Sequence, residues 1–200
     1  MKNQKQFIFF KCLLCFFAVA VASSQNIRKT SLNGDWSFKI DPYSERKTSG
    51  WSDENLDTSS WTNMKVPGNW DLVNEYAEYA GDAWYSRTFK LDKQSDVQQV
   101  RLLFQSVYND SKVWVNGQLV GENHFGFLPF HFDISKYIKY GQENRLTVLV
   151  NNVFKRGAMW NWGGIRRPVW LEITPLTRLE YQHIDAVPNL EKGDANIALQ

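Results

Sequence analysis

Lys112-Val-Trp-Val-Asn-Gly-Gln-Leu-Val-Gly121 is the stretch with the strongest structural signal in this sequence. Val113 and Val115 alternate with less apolar neighbours, which is the two-residue period of a β-strand. Asn116-Gly117 follows directly. Asn-Gly is preferred in a type I′ turn because both central residues have positive φ. The stretch therefore predicts a β-hairpin.

Further strands are expected on both sides of this hairpin. Each is a short run rich in β-branched and aromatic residues and bounded by turn residues. They are the run that ends at Ile40 after an Asn33-Gly34 turn, and segments 84–91, 100–107, 127–134, 145–150 and 168–173. Pro129 interrupts one of them, which places that strand at a sheet edge or a bulge. Since no segment shows a long helical period, the sequence predicts an all-β sandwich or barrel.

The pattern changes near Thr174-Pro175. After it come a predicted strand at 184–187, a turn at 191–194 and the start of another strand. Roughly 25 residues cannot bury a core alone. They either add to the first domain or begin a second one, and we favour the second interpretation. The expected boundaries are 25–176 for the first domain and 177–200 for the beginning of the next.

Residues 1–24 are expected to be a secretory signal peptide. Lys2 and Lys5 form a basic start, residues 7–22 an apolar run, and the small residues around position 22 resemble a cleavage site. A membrane anchor is the alternative, but the run is short for a span of roughly 20 apolar residues. A lipoprotein anchor at Cys15 is disfavoured by the bulky Leu14 before it. We therefore expect an exported protein, periplasmic or secreted, with no stable membrane anchor.

The composition excludes several classes of function. The formal net charge is +2, so neither nucleic acid nor a membrane surface is an expected partner. Both cysteines, Cys12 and Cys15, lie in the expected signal peptide, so no thiol catalysis and no Cys-ligated metal are expected. Aromatic residues make up 15% of the chain. Such residues favour β structure and supply flat faces for stacking.

Seven short motifs follow one another between Ser31 and Pro175. They are Leu-Asn-Gly-Asp-Trp (32–36), Val-Pro-Gly-Asn-Trp (66–70), Trp-Tyr-Ser-Arg-Thr-Phe (84–89), Val-Trp-Val-Asn-Gly (113–117), Pro-Phe-His-Phe-Asp-Ile (129–134), Asn-Arg-Leu-Thr-Val (144–148) and Gly-Gly-Ile-Arg-Arg-Pro-Val-Trp-Leu (163–171). In this order they resemble the N-terminal sugar-binding domain of glycoside hydrolase family 2. That family includes β-galactosidases, β-glucuronidases and β-mannosidases.

The resemblance implies a jelly-roll β-sandwich of the galactose-binding-domain type, followed by the beginning of an immunoglobulin-like β-sandwich. It also implies a (β/α)₈ barrel that holds two glutamates for retaining hydrolysis of O-glycosidic bonds. The barrel is absent from this chain, so we expect no catalytic residue and no cofactor here. The expected partners are carbohydrate and the missing domains of a β-galactosidase-like enzyme. The oligomeric state is left open, a homo-oligomer included.

The stretch 156–167 contains the main candidates for a sugar site. Its aromatic side chains could cover the C–H face of a sugar ring, and its amide and guanidinium groups could bind hydroxyls. The candidates are Trp160, Asn161, Trp162, Arg166 and Arg167. The alternative is structural, in which the loop packs against the next domain. Ala158 stands where some galactosidases of the family carry an acidic residue near an ion, which puts strict galactose specificity of that type in doubt.

Two further groups of residues are weaker candidates. Trp70 and Tyr79 could stack on a sugar from the 66–85 loop, or pack against the edge of the sandwich. His124 and His131 are metal ligands by type but lack a spaced cluster, so we expect no metal site. A free-standing carbohydrate-binding module and a purely structural domain remain the competing hypotheses for the whole chain.

Overall fold

The computed structural model describes residues 27–43, 50–93, 98–153, 162–178 and 183–199. The strands are β1 (Arg28–Ser31), β2 (Gly34–Asp41), β3 (Thr62–Val66), β4 (Asp82–Lys90), β5 (Gln98–Phe104), β6 (Val107–Tyr108), β7 (Asp110–Val115), β8 (Gln118–Asn123), β9 (Phe130–Asp133), β10 (Glu143–Asn151), β11 (Gly164–Ile165), β12 (Val169–Pro175), β13 (Ile184–Asn189) and β14 (Asp194–Leu199). Three short 3₁₀ helices occur at Trp70–Leu72, Asn74–Tyr76 and Ser135–Tyr137. Among these residues no helix is long and apolar enough to cross a membrane. The expected signal peptide, residues 1–24, lies outside the described residues.

Two antiparallel sheets form a sandwich. The larger sheet has the order β3-β2-β4-β10-β7-β8 and the smaller one the order β1-β12-β5-β9. Alternate side chains of both sheets point into one core, as Val148 and Leu146 do from β10 and Leu102 and Leu171 do from the smaller sheet. This alternation is the pattern from which an all-β sandwich was predicted, and the prediction is confirmed.

The predicted hairpin is confirmed in detail. β7 and β8 pair through a turn in which Asn116 has φ 50° and Gly117 has φ 78°. The positive φ of both residues is the requirement of a type I′ turn. The side chain of Asn116 also donates to the carbonyl of Tyr137 at 2.8 Å, which ties the turn to the rest of the sandwich.

Other predicted elements differ in extent. β9 begins directly after Pro129 and lies at the edge of the smaller sheet, as expected of a strand interrupted by proline. The strand predicted at 100–107 is confirmed as β5 up to Phe104. The chain leaves β5 there and pairs again as a strand at β6 with β11. β1 and β3 were missed, since neither combines a long alternating run with clear turn signals.

The region after residue 176 forms a separate hairpin. β13 pairs only with β14 among the described strands, and all its side chains are exposed. The predicted strand at 184–187 and the turn at 191–194 are confirmed. The boundary near residue 176 and the immunoglobulin-like character of this segment stay predictions.

Candidate functional site

Arg166 lies at the centre of an aromatic cluster. It follows β11, and β11 pairs with β6, so the arginine is held next to Tyr108. Its Cζ atom lies 4.5 Å from the ring centroid of Trp162, 5.8 Å from that of Phe127 and 5.9 Å from that of Tyr108. Its Nε atom donates to Oδ1 of Asn69 at 3.3 Å. We call these five residues the Arg166 cluster.

The Arg166 cluster carries a partly desolvated cation. Burial lowers the pKa of Arg166 below its ordinary value, while the carboxylate of Asp71 acts in the opposite direction. The guanidinium keeps its charge at neutral pH nonetheless. Asp71 is itself fixed, because its Oδ1 accepts the backbone N–H of Gly163 at 3.0 Å. The cluster therefore combines a fixed positive charge with three aromatic rings, an arrangement in which cation–π attraction operates.

Two glycines let the loop approach this region closely. A β-carbon at Gly163 would lie 2.1 Å from the indole ring of Trp70. Gly164 has φ +138°, and a β-carbon there would lie 2.5 Å from the carbonyl oxygen of Gly68. Close backbone approach was expected from the sequence, but the partner is the 66–70 segment of the protein itself.

Trp70 is not available as a stacking face. Its side chain is 0% exposed, packs against Gly163 and donates from Nε1 to the carbonyl of Tyr79 at 3.3 Å. The prediction that it could contact sugar is wrong for this reason, and the packing alternative holds. Its burial depends on a glycine far away in sequence, which is why the local motif did not indicate it.

The other candidates have different surroundings. Tyr79 is half-buried, and its hydroxyl donates to the carbonyl of Asp82 at 2.6 Å. Burial raises the pKa of Tyr79 to about 12.

Arg167 is exposed, and its backbone N–H donates to the carbonyl of Ser106, which also accepts the backbone N–H of Arg166. Trp160, Asn161 and Ala158 lie outside the described residues.

Sequence reasoning missed an exposed apolar turn beside the Arg166 cluster. Phe125, Phe127 and Leu128 are 67%, 57% and 60% exposed. The turn is anchored by Gly126, whose carbonyl accepts the hydroxyl of Ser106 at 2.7 Å. Residues 127–129 were interpreted as the start of a strand, although the preceding Phe125-Gly126 and the following Pro129 are turn signals.

A cavity of about 360 Å³ opens on the larger sheet near the same turn. Asp82, Asn151 and Asp110 stand side by side there on β4, β10 and β7. Nδ1 of His124 lies 3.2 Å from Oδ1 of Asp110. Within the described ranges there is no group of three or more His, Cys, Asp or Glu side chains that could hold a metal ion. The lining of this cavity therefore combines two carboxylates, Asp82 and Asp110, with Lys112 and His124.

Comparison with known proteins identifies the family. The family described as "Glycosyl hydrolases family 2, sugar binding domain" matches residues 29–175. The chain belongs to this family. The matched residues of this family 2 sugar-binding domain contain both sheets of the sandwich, and the prediction from the seven motifs is confirmed.

Relatives of this family 2 domain are much longer proteins. A putative β-glucuronidase of Formosa agariphila is 30% identical over 94% of the chain, which covers 19% of that protein. A β-galactosidase of Bacteroides ovatus is 28% identical over 73% of the chain, which covers 18% of it. The crystal structure of Ruminococcus gnavus β-glucuronidase superposes with a TM-score of 0.78 at 27% identity, covering 87% of the chain and 33% of that structure. The chain thus spans about a fifth of the length of the curated relatives it matches.

The Arg166 cluster of this family 2 domain has chemistry suited to a sugar. Aromatic rings pack against the C–H face of a pyranose, and a guanidinium donates to its hydroxyl or carboxylate oxygens. Of the residues predicted from the sequence, the structure brings together Trp162 and Arg166. It adds Tyr108, Phe127 and Asn69, which come from three other segments.

Proposed function

We propose that this chain is the non-catalytic sugar-binding and supporting domain of an exported, retaining glycoside hydrolase. The enzyme hydrolyses O-glycosidic bonds of β-galactosidase-like substrates, through a barrel that lies elsewhere in the complete protein. The observation that carries the proposal is the family match over residues 29–175, which coincides with a complete two-sheet sandwich. Relatives named β-galactosidase and β-glucuronidase support the class of reaction.

The Arg166 cluster supports a role beside an active site. Its guanidinium and aromatic rings are suited to bind one part of a substrate, and the proposed role requires no catalytic step from them. Phe127 of the cluster belongs to an exposed turn that also presents Phe125 and Leu128. An exposed apolar patch is typical of a surface that another domain covers.

Export is part of the proposal and rests on residues 1–24 of the sequence. A basic start, an apolar run and small residues near position 22 are the features of a cleavable signal. Detection of the mature protein in the periplasm or medium, with an N-terminus near Gln25, tests this part.

The second candidate function is a support domain that packs on the barrel without contacting sugar. The exposed apolar turn is the observation that favours it, because such a turn needs only a partner surface. The two candidates differ in the role of Arg166, since a packing role would leave substrate affinity unchanged.

The test uses the protein made from the complete reading frame that encodes this chain. We expect it to hydrolyse 4-nitrophenyl β-D-galactopyranoside with retention of anomeric configuration. NMR spectroscopy of the first-formed sugar product measures that configuration. Deletion of residues 29–175 should abolish the activity. A stop codon after Gln200 with no barrel encoded in a neighbouring frame would overturn the proposal.

Arg166→Ala in that protein separates the two candidates. Loss of a charge-assisted hydrogen bond to substrate should raise KM about tenfold while the protein stays folded. The matched control is Arg167→Ala, which removes an exposed neighbouring arginine outside the cluster and should leave KM unchanged. An unchanged KM in both variants would favour the packing function.

A further inference from the structure

A second cavity opens at an edge of the larger sheet. β3 pairs with β2 only as far as Phe38, while β2 continues to Asp41 alongside β4. The hydroxyl of Thr62 donates to the carbonyl of Phe38 at 3.1 Å, so this carbonyl points to the β3 side. By the two-residue alternation of a strand, the backbone N–H and C=O of Ile40 point to the same side. There they have no strand partner among the described residues.

The open edge forms one wall of a cavity of about 410 Å³. Tyr43 and Trp51 line it from the end of β2 and the following segment. Ser60 and Glu75 line it from the opposite side and are both exposed. None of the described residues that line this cavity belongs to the Arg166 cluster.

The aromatic side of the cavity has one open ring. Tyr43 is 84% exposed, so the flat face of its phenol is free of protein cover over most of its area. Trp51 is 9% exposed, and the Nζ atom of Lys39 lies 4.8 Å from its ring centroid. Tyr43 is therefore the stacking platform, and Trp51 with Lys39 forms the fixed floor beside it.

The polar side of the cavity is rich in hydrogen-bond acceptors. Glu75 supplies a carboxylate, Ser60 a hydroxyl, and Ile40 a backbone donor and acceptor. The charged side chains that line the cavity are Lys39, Asp41 and Glu75, so the excess charge is negative. Asp41 is 2% exposed and accepts the indole N–H of Trp84, so Glu75 is the exposed carboxylate of this lining. Neutral hydroxyl groups suit it, whereas a carboxylate on the ligand would lie near the like charge of Glu75.

We propose that this edge cavity is a second carbohydrate site that binds a neutral pyranose unit of a glycan. The C–H face of the sugar stacks on Tyr43, and its hydroxyls bind Glu75, Ser60 and the backbone of Ile40. The volume is within the range of small-ligand sites and accommodates a single sugar ring. The choice of a sugar as ligand rests on the proposed function, but the site is separate from the Arg166 cluster.

The test is an NMR titration of the ¹⁵N-labelled chain with methyl β-D-galactopyranoside. We expect saturable binding in the millimolar range, on the order of 1–10 mM, with a shift of the Trp51 indole signal. Tyr43→Ala should weaken the affinity about fivefold, whereas Tyr43→Phe keeps the ring and should bind like wild type. Methyl β-D-glucopyranosiduronate should bind about fivefold more weakly than the galactoside because of its carboxylate.

The urea concentration at the midpoint of unfolding serves as the control for folding. Tyr43→Ala should leave this midpoint unchanged because the Tyr43 side chain is exposed. Absence of saturable binding in the wild type, or equal affinity of wild type and Tyr43→Ala, would overturn the second site. If binding is instead lost in Arg166→Ala, this proposal fails while the proposed function stands. If the complete protein shows no hydrolase activity but Tyr43-dependent binding persists, the proposed function fails and the second site stands.

Discussion

The outer faces of the two sheets of the sandwich are stabilised in different ways. The outer face of the larger sheet is covered by aromatic rings. Trp84 stacks on Trp114 with ring centroids 5.3 Å apart and meets Trp51 edge to face at 5.9 Å. The cover comes from the irregular segment 50–61, which contributes Trp51, Leu56 and Trp61.

The outer face of the smaller sheet is instead crossed by a row of charges. Lys29, Glu172, Arg101 and Asp133 are direct neighbours on β1, β12, β5 and β9. Nη2 of Arg101 lies 2.6 Å from Oε2 of Glu172, and Nζ of Lys29 lies 3.2 Å from Oε1. One face is stabilised by burial of apolar surface and the other by ion pairs. The two faces should therefore respond differently to pH and salt.

The largest effect is expected on the aromatic face. Trp84→Ala should lower the free energy of unfolding by about 3–5 kcal/mol, because it leaves a cavity under Trp51 and Trp114. The loss should be the same at low and at high salt. Urea unfolding followed by far-UV circular dichroism measures it. Trp84→Phe, which loses only the hydrogen bond to Asp41 and part of the ring, should cost less.

An intermediate effect is expected from Glu172→Gln on the charged face. The side chain is 11% exposed and binds two cations, so the substitution should cost about 2 kcal/mol at pH 7. A loss equal at pH 7 and pH 3 would contradict the ionic explanation.

The same substitution should change the pH dependence of stability. Burial alone would raise the pKa of Glu172, but the hydrogen bond from Lys29 and the charge of Arg101 lower it below its ordinary value. The lowered folded-state pKa means that the carboxylate stabilises the fold above the unfolded pKa of about 4.3. This contribution is lost as the pH falls through the folded-state pKa. Urea titrations from pH 7 to pH 2.5 should show a shallower acid slope for Glu172→Gln.

The smallest effect is expected at the rim of the charged row. Lys29 is 51% exposed, so Lys29→Ala should cost only about 0.5 kcal/mol. The difference should vanish in about 1 M salt, where the screening length is near 3 Å. Lys65→Ala, which removes an exposed pair with Asp35 on the larger sheet, is the matched control for general salt effects. A salt-independent loss for Lys29→Ala alone would indicate packing by its stem instead.

The contrast between the two faces also explains what could be predicted from the sequence. The hairpin at 112–121 and the edge position after Pro129 depend on local rules, so both were predicted correctly. The interior of both sheets follows the two-residue alternation. The aromatic cover of the larger sheet does not follow this alternation. Segment 50–61 is polar and turn-rich by composition, and its two tryptophans do not fall on the two-residue period of a strand.

The candidate site could be predicted only in part for a related reason. Trp162 and Arg166 lie four positions apart in an unusual stretch, so composition indicated them. Phe127 and Asn69 join them through contacts between distant segments, and no local pattern carries that information. The two alternatives for Trp70, stacking on a sugar or packing, could not be separated from the sequence, because its burial depends on the missing side chain of Gly163.

The aromatic cover has a consequence for spectroscopy. The chain has nine tryptophans, and four of them, Trp51, Trp61, Trp84 and Trp114, meet on one outer face. Excitation energy transfers readily between rings at such separations, and the stacked pair of Trp84 and Trp114 should give an exciton couplet in circular dichroism. The intrinsic tryptophan fluorescence should therefore report on the environment of segment 50–61 more than on the interior of the sandwich. If this segment detaches before the sheets separate, the optical signal will change first and backbone circular dichroism later.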